Sequence, residues 1–182
     1  MKTENNYMDI NISGIKLNAM SMVIGIINVS ILVTLYIIRW GYDTIYTILN
    51  INDASFYIWL IIGLILHEIL HGIAYVVFGK VKKSDVMFGI NFKTLTLYAS
   101  CKVPISSIAI VKVCIFPLLI LGIVPIILCM LFKELSFLFM WSVFMVALSS
   151  GDIYISWIMR EYIEDFIFMD KPNEIGFYLM KK

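Results

Sequence analysis

Four long uncharged stretches, separated by short charged ones, organise this chain. Ala19 to Ile38 carries no charge over twenty residues. At about 1.5 Å rise per residue, a helix of that length crosses the roughly 30 Å hydrocarbon core of a bilayer. Phe56 to Phe78 forms a second stretch interrupted only by His67, Glu68 and His71, and Val113 to Phe132 forms a third. Leu135 to Ile158 forms a fourth, interrupted only by Asp152. Between the second and third the period changes: Phe88, Ile90, Phe92, Thr94, Thr96 and Tyr98 alternate with a second set rich in β-branched and aromatic types. That pattern predicts one or two short strands within the loop Lys80 to Lys112.

The expected fold is therefore an all-α integral membrane protein with four transmembrane helices and a short β-hairpin-like cytoplasmic loop between helices 2 and 3. Neither a linker nor a repeat divides residues 1–182, which read as one membrane-embedded domain. The charged segment with Glu161, Glu164 and Asp165 reads as a solvated interfacial helix. A cleaved signal peptide is not expected, because the first eighteen residues are mixed in charge and the apolar run exceeds an h-region.

Composition agrees: 61% of residues are hydrophobic and 15% charged, with a mean hydropathy of +0.92. Four spans place the amino terminus, the loop after helix 2 and the carboxyl terminus on one side. That side holds twelve of the fourteen lysines and arginines, leaving Arg39 and Lys133 on the other. Such a bias predicts that both termini are cytoplasmic. The net charge of +1 gives no reason to expect a nucleic-acid partner. Cys101, Cys114 and Cys129 contain no CxxC and read as reduced thiols, with Cys101 as a lesser candidate for a metal ligand.

The chemistry concentrates in one place. The only two histidines, His67 and His71, flank Glu68 in an HExxH motif inside the second span. On a helix, positions four apart share a face, so both imidazoles can reach one Zn²⁺ while Glu68 lies beside its open position. A structural histidine–glutamate cluster is the alternative, but ionisable groups in lipid are costly unless paired or hydrated. A bis-histidine haem is excluded, because histidines four apart on one helix cannot take opposite axial positions. Catalytic zinc takes three protein ligands plus water. Asp152, the only carboxylate in any other span, lies at the same depth as His71 and is the third-ligand candidate. A helix-capping role for Asp152 stays open, with Glu161, Glu164 and Asp165 as competitors. Gly63, Gly72 and Gly151 are expected to admit close helix approach, and Pro117 and Pro125 to kink the third span as a gate or a fixed bend.

The run His67-Glu68-Ile69-Leu70-His71-Gly72 in a membrane helix, a strand-like loop and a later intramembrane Asp resemble intramembrane zinc metalloproteases of the site-2 protease type. There the order is Asp then Gly, whereas here Gly151 precedes Asp152. The wider pattern resembles more closely the bacterial family of small multi-span membrane proteins named putative zincin peptidases. It includes Tyr98-Ala99-Ser100-Cys101-Lys102-Val103-Pro104, the paired prolines, Gly151-Asp152, Pro172 and Gly176-Phe177. The resemblance implies His67, His71 and Asp152 as zinc ligands, Glu68 as catalytic base, and residence in a bacterial cell membrane. The expected activity is an intramembrane zinc metalloendopeptidase acting on a membrane-embedded or juxtamembrane protein or peptide. Asn91 and Tyr98 are the candidates for substrate contact and for the oxyanion donor. The competing expectation is a non-catalytic scaffold, export or immunity partner retaining a structural zinc.

Overall fold

The computed structural model describes residues 7–44, 54–91, 96–163, 166–171 and 176–181. Helix α1 (Gly14–Trp40) ends at Gly41, whose φ of 88° is open to glycine and whose N–H bonds the Ile37 carbonyl. Helix α2 (Ala54–Gly79) carries the HExxH motif. One face of α2, with Ile58, Ile61, Ile65, Ile69 and Ile73, is exposed. An outward stripe of that kind is disfavoured in water and is compatible with lipid.

The third stretch stays helical from Ser107 to Leu131 but changes its hydrogen-bond period directly after Pro117. Helix α3 (Ser107–Pro117) passes into a π-helical turn (Leu118–Ile123) and then α4 (Val124–Leu131). The helix begins six residues earlier than the apolar run, with Ser107, Ala109 and Ile110 buried against the protein and Ile108 and Lys112 exposed. The fourth stretch is divided into α5 (Ser136–Leu148) and α6 (Ser150–Met159), with a 41° bend between the helical segments. Ser149 and Ser150 donate from their hydroxyls to the carbonyls of Met145 and Val146, at 3.0 and 3.4 Å, a back-bonding that bends helices. Three helical segments are long and apolar enough to cross a membrane, or four if the bent pair is one span.

Two small sheets accompany the helices. Strands β2 (Val86–Asn91) and β3 (Thr96–Cys101) form the anticipated antiparallel hairpin, pairing Phe88 with Ala99 and Gly89 with Tyr98. Phe92 and Thr94, part of the predicted alternation, lie outside the described residues. The second sheet was not anticipated. Strands β1 (Tyr7–Asn11), β4 (Ile105–Ser106), β5 (Phe166–Asp170) and β6 (Gly176–Lys181) assemble antiparallel in the order β1-β6-β5-β4. Instead of an interfacial helix, Arg160–Tyr162 makes one 3₁₀ turn and the chain enters β5; Glu164 and Asp165 lie outside the described residues. The buried face of this sheet, including Phe168, Phe177 and Leu179, closes a core with Tyr75, Ile110 and Met159. Lys171 pairs with Asp9, tying the start of the chain to its end. A separate cluster stacks Tyr36 on Phe139, ring centroids 3.8 Å apart, with Cys129 and Val143.

The glycines divide by role. Gly63 meets Met145 and Trp141 on α5, as a close helix approach requires. Gly72 instead faces the Phe88 ring of the hairpin, and a Cβ on Gly151 would meet only Ser21 at an ordinary 3.5 Å. The tighter approach to the α5–α6 break comes from Gly25 on α1, where a Cβ would lie 3.2 Å from the Ser150 hydroxyl.

Candidate metal centre

Helical periodicity sets His67 and His71 one turn apart on α2, with their Nε2 atoms 3.0 Å apart. The break at Ser149 brings Asp152, in the first turn of α6, against them. Its Oδ2 lies 3.1 Å from His67 Nε2 and 3.5 Å from His71 Nε2. A tetrahedral ion with ligands at about 2.0–2.1 Å would separate neighbouring donor atoms by about 3.3 Å. The three observed separations bracket that value, so the residues fit zinc without rearrangement. Both histidines are buried, at 3% and 7% exposure. Among the described residues these three form the only His/Cys/Asp/Glu group that could hold a metal. Asp152 lies beside the histidines in the first turn of α6, whose N-cap is Ser149, so it does not cap that helix.

The outer contacts differ between the two imidazoles. His71 Nδ1 donates to the Val113 carbonyl on α3 at 3.0 Å, leaving the Nε2 lone pair free to take a metal. His67 Nδ1 has no hydrogen-bond partner among the described residues.

Glu68 lies beside the cluster, half-buried, with the main-chain amide of Ala99 placed to donate to its carboxylate. Phe88 packs on Gly72, and Ala99 pairs with Phe88, so alternation turns Phe88 and Ala99 toward α2. Tyr98 is consequently on the opposite face, where its ring covers Gly89; it is not brought to the metal cluster. Asn91 ends β2, and its side chain lies outside the described residues. Ala99 was missed because its contribution is a main-chain amide, which residue type does not announce.

Cys101 stands apart from the cluster. Its thiol is buried, which pushes its pKa up, and its N–H donates to Asp170 Oδ2 at 3.1 Å. Tyr75, one turn beyond His71 on α2, donates to the same oxygen at 3.4 Å. Burial raises the Asp170 carboxyl above its ordinary value. This carboxyl joins α2, the hairpin and the four-stranded sheet at the foot of the site. Of the competitors for the third ligand, Glu161 is exposed on its 3₁₀ turn.

A family model described as putative zincin peptidase matches residues 60–167, more than half of the 182-residue chain. The chain belongs to that family. The matched segment of this zincin family member contains the HExxH run, the hairpin, the proline-containing helix and Asp152. No curated protein and no solved structure matches the chain.

Proposed function

We propose that this protein is a membrane zinc metalloendopeptidase that hydrolyses a peptide bond of a membrane-embedded or juxtamembrane substrate. The observation that carries the reading is the convergence of His67 Nε2, His71 Nε2 and Asp152 Oδ2 beside the carboxylate of Glu68. Two neutral imidazoles and one carboxylate are a donor set suited to catalytic zinc, with a fourth position for water or substrate. When bound, zinc acidifies a water and polarises the scissile carbonyl.

The residues do the rest. Glu68 takes the proton from the attacking water and returns it to the leaving amine, with the Ala99 amide orienting its carboxylate. His71, fixed through Val113, and His67 hold the ligand geometry from α2, while Asp152 completes it from α6. The Cys101 N–H points to Asp170 rather than into the hairpin ladder, so the Ala99 N–H, two residues away, shares that outer edge of β3. An extended substrate pairing along this edge would keep its main chain unfolded next to Glu68. A helical substrate hides its carbonyls, so segments that unwind readily are the favoured targets.

The lysine distribution supports a membrane orientation with both termini cytoplasmic. The deciding experiment is Glu68→Gln in the full chain reconstituted with zinc and a candidate membrane substrate. Zinc stoichiometry should be unchanged and cleavage should fall by about 10²–10⁴-fold. Undiminished cleavage would end the mechanism, and zinc bound without cleavage by the wild type on any substrate would favour a scaffold.

A further inference from the structure

We propose that Pro117 is a positioning residue of the metal centre: by lacking an N–H, it leaves the Val113 carbonyl open to receive His71. The inference rests on the zinc-site reading above. In an α-helix the carbonyl of residue 113 is taken by the N–H of residue 117. Here residue 117 is proline, which has no donor and whose ring crowds that same carbonyl.

The amides that follow do not fill the gap. Leu118 N–H bonds the Ile115 carbonyl, and within the π-helical turn Val124 N–H bonds Leu119, five residues back. The donor supplied to Val113 is His71 Nδ1, at 3.0 Å in a buried contact. A carbonyl can only accept, so Nδ1 carries the proton and the Nε2 lone pair points at His67 and Asp152. A proline that would ordinarily cost a helix one hydrogen bond thus converts a helix carbonyl into an outer-shell partner of a ligand.

Pro125 provides the internal comparison. It too lacks an N–H within the same continuous helix, but it stands beyond the π-helical turn, and neither His67, His71 nor Asp152 bonds a carbonyl near it. The two prolines therefore separate: only Pro117 frees a carbonyl that a side chain of the cluster takes.

The test uses the full chain in detergent micelles, labelled with ¹⁵N-histidine. Only two imidazoles are present, so each ring is resolved. In the wild type, His71 should show a protonated, hydrogen-bonded Nδ1 both with and without zinc. Pro117→Ala restores an amide that competes for Val113. It should keep the helical content of the wild type, move the His71 ¹⁵N resonances toward a mixture of tautomers, and bind zinc about tenfold more weakly in competition with a chromophoric chelator. Pro125→Ala should stay within about twofold of the wild type. Wild-type affinity in Pro117→Ala, or a wild-type His71 protonated on Nε2, would overturn the proposal. If the wild type binds no zinc, the zinc-site reading fails, yet the His71 tautomer in the metal-free chain still decides the role of Pro117. The wild-type measurement also stands if Pro117→Ala does not fold.

Discussion

His67 on α2 and Asp152 on α6 are 85 residues apart in sequence, and their Nε2 and Oδ2 atoms lie 3.1 Å apart. Helix α6 packs chiefly on α1 and α3 rather than on α2. The cluster is therefore the direct tie between α2 and α6, and the energetics of a metal bound there should be felt across the whole bundle.

Zinc should stabilise the fold by mass action. At free zinc about one hundred times its Kd, the expected gain is about 2.7 kcal/mol, visible as a rise in the thermal unfolding midpoint in micelles. Asp152→Ala and His71→Ala should flatten that response. An equal zinc-dependent shift in Asp152→Ala would remove this residue from the ligand set.

The foot of the site should be sensitive to pH through Asp170. Burial raises its carboxyl above the ordinary 3.8, so the folded state binds the proton more tightly than the unfolded chain. Stability from this group is full below that ordinary value and is lost as pH rises through the elevated folded value. Asp170→Asn keeps an oxygen to accept from Cys101 N–H and Tyr75 O–H while removing the buried charge. The variant should match or exceed wild-type stability near pH 7 and lose the decline. Thermal melts from about pH 4 to about pH 8 check this; a variant less stable than the wild type throughout would refute it.

Gly122, on the π-helical turn, is packed against α5. A Cβ there would lie 2.7 Å from Val146 Cγ2 and 3.4 Å from Leu118 Cδ1. Valine has little rotamer freedom in a helix, so the clash is not easily relieved. Gly122→Ala should destabilise by about 1–3 kcal/mol, and adding Val146→Ala should recover most of the loss. Simple additivity of the two changes in a double-mutant cycle would contradict the contact.

Ala99 should matter through its amide rather than its methyl. Because that amide points away from β2, proline at this edge position leaves the hairpin ladder intact. Ala99→Pro should bind zinc like the wild type and cleave substrate at least about tenfold more slowly, through loss of the donor to Glu68. Ala99→Ser, which keeps the amide, should remain close to wild type in a kinetic assay. Full activity in Ala99→Pro would remove the amide from the mechanism.

Much of this protein follows from its local pattern. Apolar runs long enough to span a membrane mark the helices, because backbone satisfaction without water leaves few alternatives. The HExxH spacing aligns His67 and His71 by helix period alone, and Asp152 stands out because a carboxylate in such a run is costly without a partner. The paired prolines bracket the π-helical turn of the third stretch.

Other features required the assembled chain. The four-stranded sheet joins residues near position 7 to residues near position 180, and strands of two to six residues carry too little alternation to declare a partner that far away. The choice between Tyr98 and Ala99 at the site turned on strand register, since neighbouring residues face opposite sides and only the contact of Phe88 with Gly72 says which side is inward. The link from His71 to Val113 runs through a main-chain carbonyl, a group every residue possesses. Sequence periodicity determined the helices and the two histidines because those are local properties of the chain. The contact of Asp152 with the histidines, the amide beside Glu68 and the carbonyl behind His71 were decided by tertiary structure, because each depends on which distant backbone or side-chain atoms fold into reach.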